Sequence, residues 1–477
     1  MKKLLVVIAG ALLPFSGHSE VLSLDSCRAL ALKNNKQIQV ADQAVKGAGY
    51  LKKSAFAAYL PGIDFTGGYT YNQHNIELLG EDAKLPTMSF NPATQQFQYN
   101  VLTSPDGTPI KDPATGSYIP TEVAVIPKEA MSYDIHNVFA GAFTLTQPIY
   151  MGGQIRALND IAKYGEQMAE SARNVAVQDV IYAVDEAYWL VVSLKEKEKL
   201  ARSFEALMDS LCHSVNALYA NGMATRSDIL NVEVKLNEAK IATTKVINGV
   251  SLSRMALAQM CGLPIDDNFT LADENGISVT SAPQTYQYSM DEVFGRRQDL
   301  EVLRKSINLL EGKERLALST MLPKIAAVGA YSFSNPNVIH GFEKRFGGGF
   351  SVGAALTIPL WHWGGNYHQY SAAKSATLSQ RLLLQDMEEK VELQVKQARY
   401  KYDEAYKTLE MTRTNMQKAD ENLRQAQLAY KEGVLTIDDV TGAYTAWLQA
   451  HSEEVDAEIG VYLCNVYLNK VLGLMPY

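Results

Sequence analysis

The chain has 477 residues, 47% of them hydrophobic, and a formal net charge of -8. That acidic balance, with no basic stripe, excludes nucleic acid as a partner. The four cysteines, Cys27, Cys212, Cys261 and Cys464, lie far apart in sequence and form neither a CxxC pair nor a disulfide-rich framework.

Met1-Lys2-Lys3, an apolar run from Leu4 to Phe15, and the small residues up to Ser19 read as a secretory signal peptide over 1–19. No later stretch carries 18 consecutive apolar residues, so no helix is expected to cross a membrane. A mature chain that entered a membrane would have to do so as a β-barrel.

Internal repetition sets the architecture. A first repeat over 20–264 and a second over 289–477 share their landmarks, and a polar linker over 265–288 joins them. Ser23-Leu24-Asp25 matches Ser289-Met290-Asp291, and Leu60-Pro61 matches Leu322-Pro323. Pro148 with Gly152-Gly153 matches Pro359 with Gly364-Gly365, and Gly262-Leu263 matches Gly473-Leu474. Each repeat opens with a helix, over 24–58 and 290–320, whose registers differ by four residues, about one turn.

Strands follow each first helix. Ile63, Phe65, Gly67, Tyr69 and Tyr71 alternate with Asp64, Thr66, Gly68, Thr70 and Asn72; the second repeat has Ile325, Ala327, Gly329, Tyr331 and Phe333 on the equivalent face. A second strand in each repeat places Phe139, Gly141, Phe143 and Leu145, or Phe350, Val352, Ala354, Leu356 and Ile358, on one side. Period two over about ten residues, apolar on one face and small or polar on the other, marks membrane β-strands. Tyr150, Trp361 and Trp363 stand at the strand ends, where interfacial aromatics meet outer-membrane lipid. A loop over 73–136, rich in proline, separates the first pair and a short loop over 335–347 the second; long loops of such barrels are extracellular. Four strands cannot close a barrel, since the smallest have about eight. Two copies would supply eight and three would supply twelve.

Long helices come next. Residues 154–221 would span about 100 Å as one helix, which reads as a coiled coil. In the second repeat Tyr402, Leu409, Met416, Leu423 and Tyr430 recur every seven residues beside a small seam of Ala398, Ala405, Thr412, Ala419 and Ala426. Each long helix stops at a glycine, Gly222 or Gly433, suited to a left-handed C-cap. A Thr-x-x-Asp capping box, Thr225 to Asp228 or Thr436 to Asp439, then opens a return helix. The chain therefore carries two helical hairpins with tips near 222–228 and 433–439.

Gly349-Phe350-Ser351-Val352-Gly353 matches the G-x-S-x-G hydrolase elbow but lies inside an alternating strand, so no enzyme is expected. The histidines show no ligand spacing, no metal or other cofactor is expected, and no nucleotide-binding loop occurs. A secreted coiled-coil adhesin or spacer without a pore would account for the helices, though not for the duplicated amphipathic strands.

Together the two Leu-Pro steps, the two strand-Pro-x-Gly-Gly elements, the two Tyr-x-x-Gly tips and their order make the mature chain resemble the TolC-like outer-membrane efflux protein family. The resemblance implies an α+β membrane protein: an outer-membrane β-barrel of twelve strands in a homotrimer, with a periplasmic α-helical coiled-coil barrel. It further implies a passive exit duct for efflux or type I secretion, docked to a periplasmic adaptor and an inner-membrane transporter. It places the pore constriction at Asp228, Tyr430 and Asp439, with Asp438 adding a second carboxylate, and the adaptor-docking tips at Gly222, Thr225, Ser227, Gly433 and Thr436. Two positions depart from the family pattern: a basic residue is replaced by Leu435 and a carboxylate by Gly442.

Overall fold

A computed structural model describes residues 20–265, 269–276 and 286–475. The expected signal peptide, and 266–268 and 277–285 of the expected linker, lie outside the described residues. In chain order, strand β1 (Glu20–Leu22) leads into helices α1 (Leu24–Asn34) and α2 (Lys36–Ala57) and strand β2 (Gly62–Tyr71). Six short strands follow: β3 (Ile76–Glu77), β4 (Ala83–Pro86), β5 (Met88–Asn91), β6 (Gln96–Tyr99), β7 (Val123–Ile126) and β8 (Ser132–Tyr133). Then come β9 (Asn137–Tyr150), α3 (Gln154–Ala220), α4 (Arg226–Cys261) and β10 (Phe269–Leu271). The second repeat runs α5 (Met290–Arg296), α6 (Gln298–Ser319), β11 (Lys324–Asn335), β12 (Gly347–Thr357), α7 (Gly365–Lys431) and α8 (Ile437–Val471).

The chain divides into two compact units, one made of Phe56–Ile155 with Leu318–Tyr367 and the other of the rest. The first unit is built on an antiparallel sheet in the order β12-β11-β9-β2. Its register pairs Phe65 with Phe143, Phe143 with Tyr331, and Tyr331 with Phe350, so the apolar sets of all four strands share one face. The opposite face carries the small and polar set, as in the row Thr66, Ala142, Ser332 and Gly349. β9 bulges beside Pro148, which has no N–H to give to the ladder. β2 and β12 are the outer strands, each pairing on one side only within the chain.

The segment expected as one long loop over 73–136 instead folds into three two-stranded ladders, β3 with β8, β4 with β7 and β5 with β6. Prolines limit β4, β5 and β7, with Pro86 ending β4, Pro92 following β5 and Pro127 following β7, which is why the pattern did not announce these strands.

In the second unit each expected first helix is broken in two. The breaks fall at Asn35 and Arg297, both extended (ψ 131° and 115°). Both residues reach the far end of their repeat's hairpin: Asn35 Nδ2 donates to Met260 O at 3.1 Å, and Arg297 Nη1 donates to Val471 O at 3.1 Å. These carbonyls lie in the last turns of α4 and α8, where they lack N–H donors along their own helices. The four-residue difference between repeats falls wholly in the first piece, 11 residues in α1 against 7 in α5, while α2 and α6 both have 22.

The expected linker also contains structure that the sequence reading missed. β10 pairs in parallel with β1, burying Leu22, Phe269 and Leu271. Arg254 Nη2 holds both oxygens of Glu274 at 2.7 and 2.8 Å, and Tyr188 donates to Asp273 at 2.5 Å. Cys27 and Cys261, far apart in sequence, lie in one buried cluster.

The heptad of α7 turns inward. Tyr402, Leu409 and Leu423 are buried, as are Ala398, Thr412 and Ala426 of the small seam, while Met416 is half-buried. Each 67-residue helix is about 100 Å long. Among the described residues no helix is long and apolar enough to cross a membrane.

Candidate functional site

The two tips are built alike. At the first, Gly222 takes φ +75°, Gly222 N–H donates to Tyr219 O at 2.9 Å and Met223 N–H reaches back to Leu218 O at 2.9 Å. At the second, Gly433 takes φ +74°, and Val434 N–H reaches Ala429 O at 2.8 Å. This pattern satisfies the last carbonyls of each long helix, and the left-handed position favours glycine.

Both return helices open on full capping boxes. Asp228 N–H donates to Thr225 Oγ1 at 3.2 Å, and Thr225 N–H donates to Asp228 Oδ2 at 2.8 Å. Asp439 N–H donates to Thr436 Oγ1 at 3.3 Å, while Asp439 Oδ2 accepts from Thr436 N–H at 3.0 Å and from its hydroxyl at 2.6 Å. Hydrogen bonds from Thr225 hold the Asp228 carboxyl below the ordinary carboxylate value, and those from Thr436 do the same for Asp439.

Between the tips lies a groove of about 1040 Å³, walled by Leu207, Asn221, Met223, Asp228, Tyr430, Glu432, Leu435 and Tyr444 among others. Beneath it Met208, Leu211, Val215, Ile229 and Val232 of the first hairpin pack with Leu423, Ala426, Val440 and Ala443 of the second. This core makes the groove a fixed feature of the two tips.

Asp228 and Tyr430 thus face one groove, but no hydrogen bond joins them in the single chain. Asp228 is taken up by its capping box, and the Tyr430 hydroxyl is buried without a hydrogen-bond partner. Burial, and then the charge of Asp228, push the Tyr430 hydroxyl above its ordinary value. Gly222, Thr225, Ser227, Gly433, Thr436, Asp438 and Asp439 are exposed. Leu435 is half-buried against the tip cluster and so packs rather than pairs. At Gly442 an added Cβ would meet open space. The sequence reading did not include Tyr444, whose hydroxyl accepts from Gln427 Nε2 at 2.9 Å on the groove wall. Its position four residues after buried Val440 is the helical-spacing signal that could have found it.

In the sheet unit, Tyr150 ends β9, and Trp361 and Trp363 lie just beyond β12. The two indoles are 72% and 87% exposed and meet edge to face at 5.8 Å. Ser351 of the hydrolase-like motif pairs with Ala330 in mid-strand, without the sharp turn that a nucleophile elbow requires.

The sequence profile of the outer membrane efflux protein family matches residues 126–263 and 290–474. Among solved structures, the outer membrane protein VceC of Vibrio cholerae is similar at 15% identity, covering 94% of this chain and 96% of its own, with a TM-score of 0.70. The CmeC outer membrane channel of Campylobacter jejuni is similar at 16% identity, with coverages of 94% and 85% and a TM-score of 0.69. The open-state MtrE outer membrane channel of Neisseria gonorrhoeae is similar at 16% identity, with coverages of 94% and 88% and a TM-score of 0.69. No curated protein sequence matches the chain.

Proposed function

The chain belongs to the outer membrane efflux protein family, and from that premise we propose that it acts as a homotrimeric channel-tunnel, the passive exit duct of a tripartite efflux or type I secretion system. The chain is an outer-membrane protein with a periplasmic helical tunnel and is not an enzyme.

The observation that carries assembly with further copies is the open sheet. Four strands present one continuous apolar face, and the outer strands β2 and β12 are left with an unpaired edge within the chain. In hydrocarbon, unpaired backbone N–H and C=O groups are too costly to expose, so such a sheet must close on copies of itself. Three copies give the twelve strands that the family resemblance implies.

Exposed Trp361 and Trp363 would then mark the lipid boundary, and the ladders of 73–136 would lie outside the cell. Around a threefold axis, Asp438 and Asp439 would form acidic rings that favour cations. Asp228 and Tyr430 would flank the constriction. The groove between the tips, with its apolar floor and polar rim, suits a periplasmic adaptor, and an inner-membrane transporter would supply the energy.

Two experiments test this reading. Chemical cross-linking in outer-membrane vesicles is expected to stop at three copies; a ladder that stops at two sinks the trimer. Photo-reactive residues at Asn221 and Glu432, both on the groove wall, are expected to capture a periplasmic adaptor in cells. Capture of neighbouring copies alone would remove the support for docking at the tips.

A further inference from the structure

Cys27 lies in the first turn of α1, and Cys261 is the last residue of α4. The Cys261 side chain reaches the backbone of Cys27, 234 positions away. Cys261 Sγ–H donates to Cys27 O at 3.6 Å, and both cysteines belong to the same buried cluster. Both are fully buried and both are free thiols in this structure.

The contact sits in a built junction. Asn34 Nδ2 donates to Cys261 O at 3.2 Å, which seats the end of α1 on the end of α4. A single buried cysteine is ordinarily a small hydrophobe, and the second repeat has Leu472 where the first has Cys261. Packing therefore does not call for sulfur here. Two sulfurs brought together in a chain whose helical unit occupies an oxidising compartment have a further chemistry open to them.

We propose that Cys27 and Cys261 close an intramolecular disulfide as the chain folds in the periplasm, stapling α1 to the end of α4. The inference rests on the periplasmic placement of the helical unit. The oxidant is a protein disulfide of the thiol–disulfide exchange class. One cysteine, as thiolate, attacks that disulfide, forming a mixed disulfide and releasing one oxidant thiolate. The second cysteine, as thiolate, then attacks the mixed disulfide at the chain's sulfur. The Cys27–Cys261 bond forms and the other oxidant sulfur leaves. The chain loses two protons and two electrons, and the oxidant is reduced to its dithiol.

Timing follows from burial. Neither sulfur is open to an enzyme once α1 is seated, and the neighbouring Cys261, then burial, hold the Cys27 thiol above its ordinary value. Exchange therefore precedes docking of α1, and the finished staple resists reductants in the native state. It would close a very long loop, the case in which a cross-link most restricts the unfolded chain.

The test is differential thiol labelling of the unmodified chain. Outer-membrane fractions are acid-quenched, denatured, alkylated with one reagent, reduced, alkylated with a second, and digested for mass spectrometry. Cys212 and Cys464 are expected to carry the first label, and Cys27 and Cys261 only the second. An unreduced digest is expected to contain the peptide linking 27 to 261. First-label occupancy at Cys27 and Cys261 in chain recovered from the outer membrane overturns the staple and leaves the channel reading standing. A chain confined to the cytoplasm overturns both. As a second measurement, Cys27→Ser with Cys261→Ser is expected to abolish the downward shift in unfolding midpoint that reductant causes in the denatured wild type. An equal shift in the variant counts against the staple.

Discussion

Arg28 grips the carboxylate of Asp185 with both arms of its guanidinium, Nε to Oδ1 at 2.7 Å and Nη2 to Oδ2 at 2.6 Å. The Asp185 side chain has no exposure at all, while that of Arg28 keeps 31%. Burial pushes the Asp185 carboxyl above its ordinary value despite Arg28, so the pair fixes the position of α1 on α3 more than it adds stability. Removing the cation alone strands a buried charge. Arg28→Ala is expected to cost about 3–5 kcal/mol in chemical denaturation. Arg28→Met combined with Asp185→Leu should recover most of that loss. Because the folded carboxyl is raised, the deficit of Arg28→Ala should shrink as pH falls through that raised value, when the stranded group takes a proton.

Tyr430 sets up the opposite expectation. Its hydroxyl is buried and has no hydrogen-bond partner in the chain, a state that costs about 1–3 kcal/mol. Tyr430→Phe keeps the ring and removes the orphan. The isolated, unassembled chain is expected to be as stable as wild type or more so by thermal unfolding. If the hydroxyl finds its partner only in the closed ring, the same variant should loosen the assembled channel. Asp228→Ala with Tyr430→Phe is then expected to raise single-channel conductance in planar bilayers. Conductance unchanged from wild type would remove these two residues from the gate.

The tips should also respond to acid. Asp228 and Asp439 are both held below the ordinary carboxylate value by their threonine partners. A depressed carboxyl contributes stability above its unfolded value, about 4, and the contribution is lost as pH falls through the lower folded value. Hydrogen exchange at the first turns of α4 and α8 is expected to speed up below about pH 4, beyond the intrinsic pH effect. Thr225→Ala and Thr436→Ala should each loosen their turn by about 1 kcal/mol already at neutral pH. Exchange at Ile229 and Val440 that ignores both acid and substitution would show that the caps do not hold the tips.

The tips were legible because their chemistry is local. A left-handed glycine and a Thr-x-x-Asp box declare themselves within a few residues, and Gly222 and Gly433 each take the expected conformation. The sheet was legible for the same reason, since period two in Phe65, Gly67 and Tyr69 fixes a face without knowledge of the neighbour. What stayed hidden depends on distant partners. Asn35 and Arg297 break their helices to reach carbonyls near the ends of α4 and α8. Phe269 and Leu271 form a strand only because Glu20–Leu22 is there to pair. The groove wall at Tyr444 needs both hairpins before it exists.

One glycine of the sheet yields the sharpest test of the membrane unit. Gly141 pairs with Gly67 on one side and Phe333 on the other. The Phe333 ring lies over it, so a Cβ at 141 would come within 2.6 Å of the ring's Cζ. Phe333 also approaches Phe65 at 6.3 Å and Phe143 at 6.4 Å between ring centres, so it has little freedom to swing aside. Gly141→Ala is therefore expected to overpack the apolar face, at a cost of about 1–3 kcal/mol. In the assembled barrel this should appear as a lower temperature for loss of the folded band in unboiled gels. Gly141→Ala with Phe333→Leu should restore part of the loss, because the shorter side chain vacates the space above 141. Gly68, on the opposite face with nothing within reach of a Cβ, provides the control: Gly68→Ala should leave the melting behaviour unchanged. If Gly68→Ala and Gly141→Ala weaken the barrel equally, glycine is needed for the strand backbone itself and the ring above Gly141 is incidental.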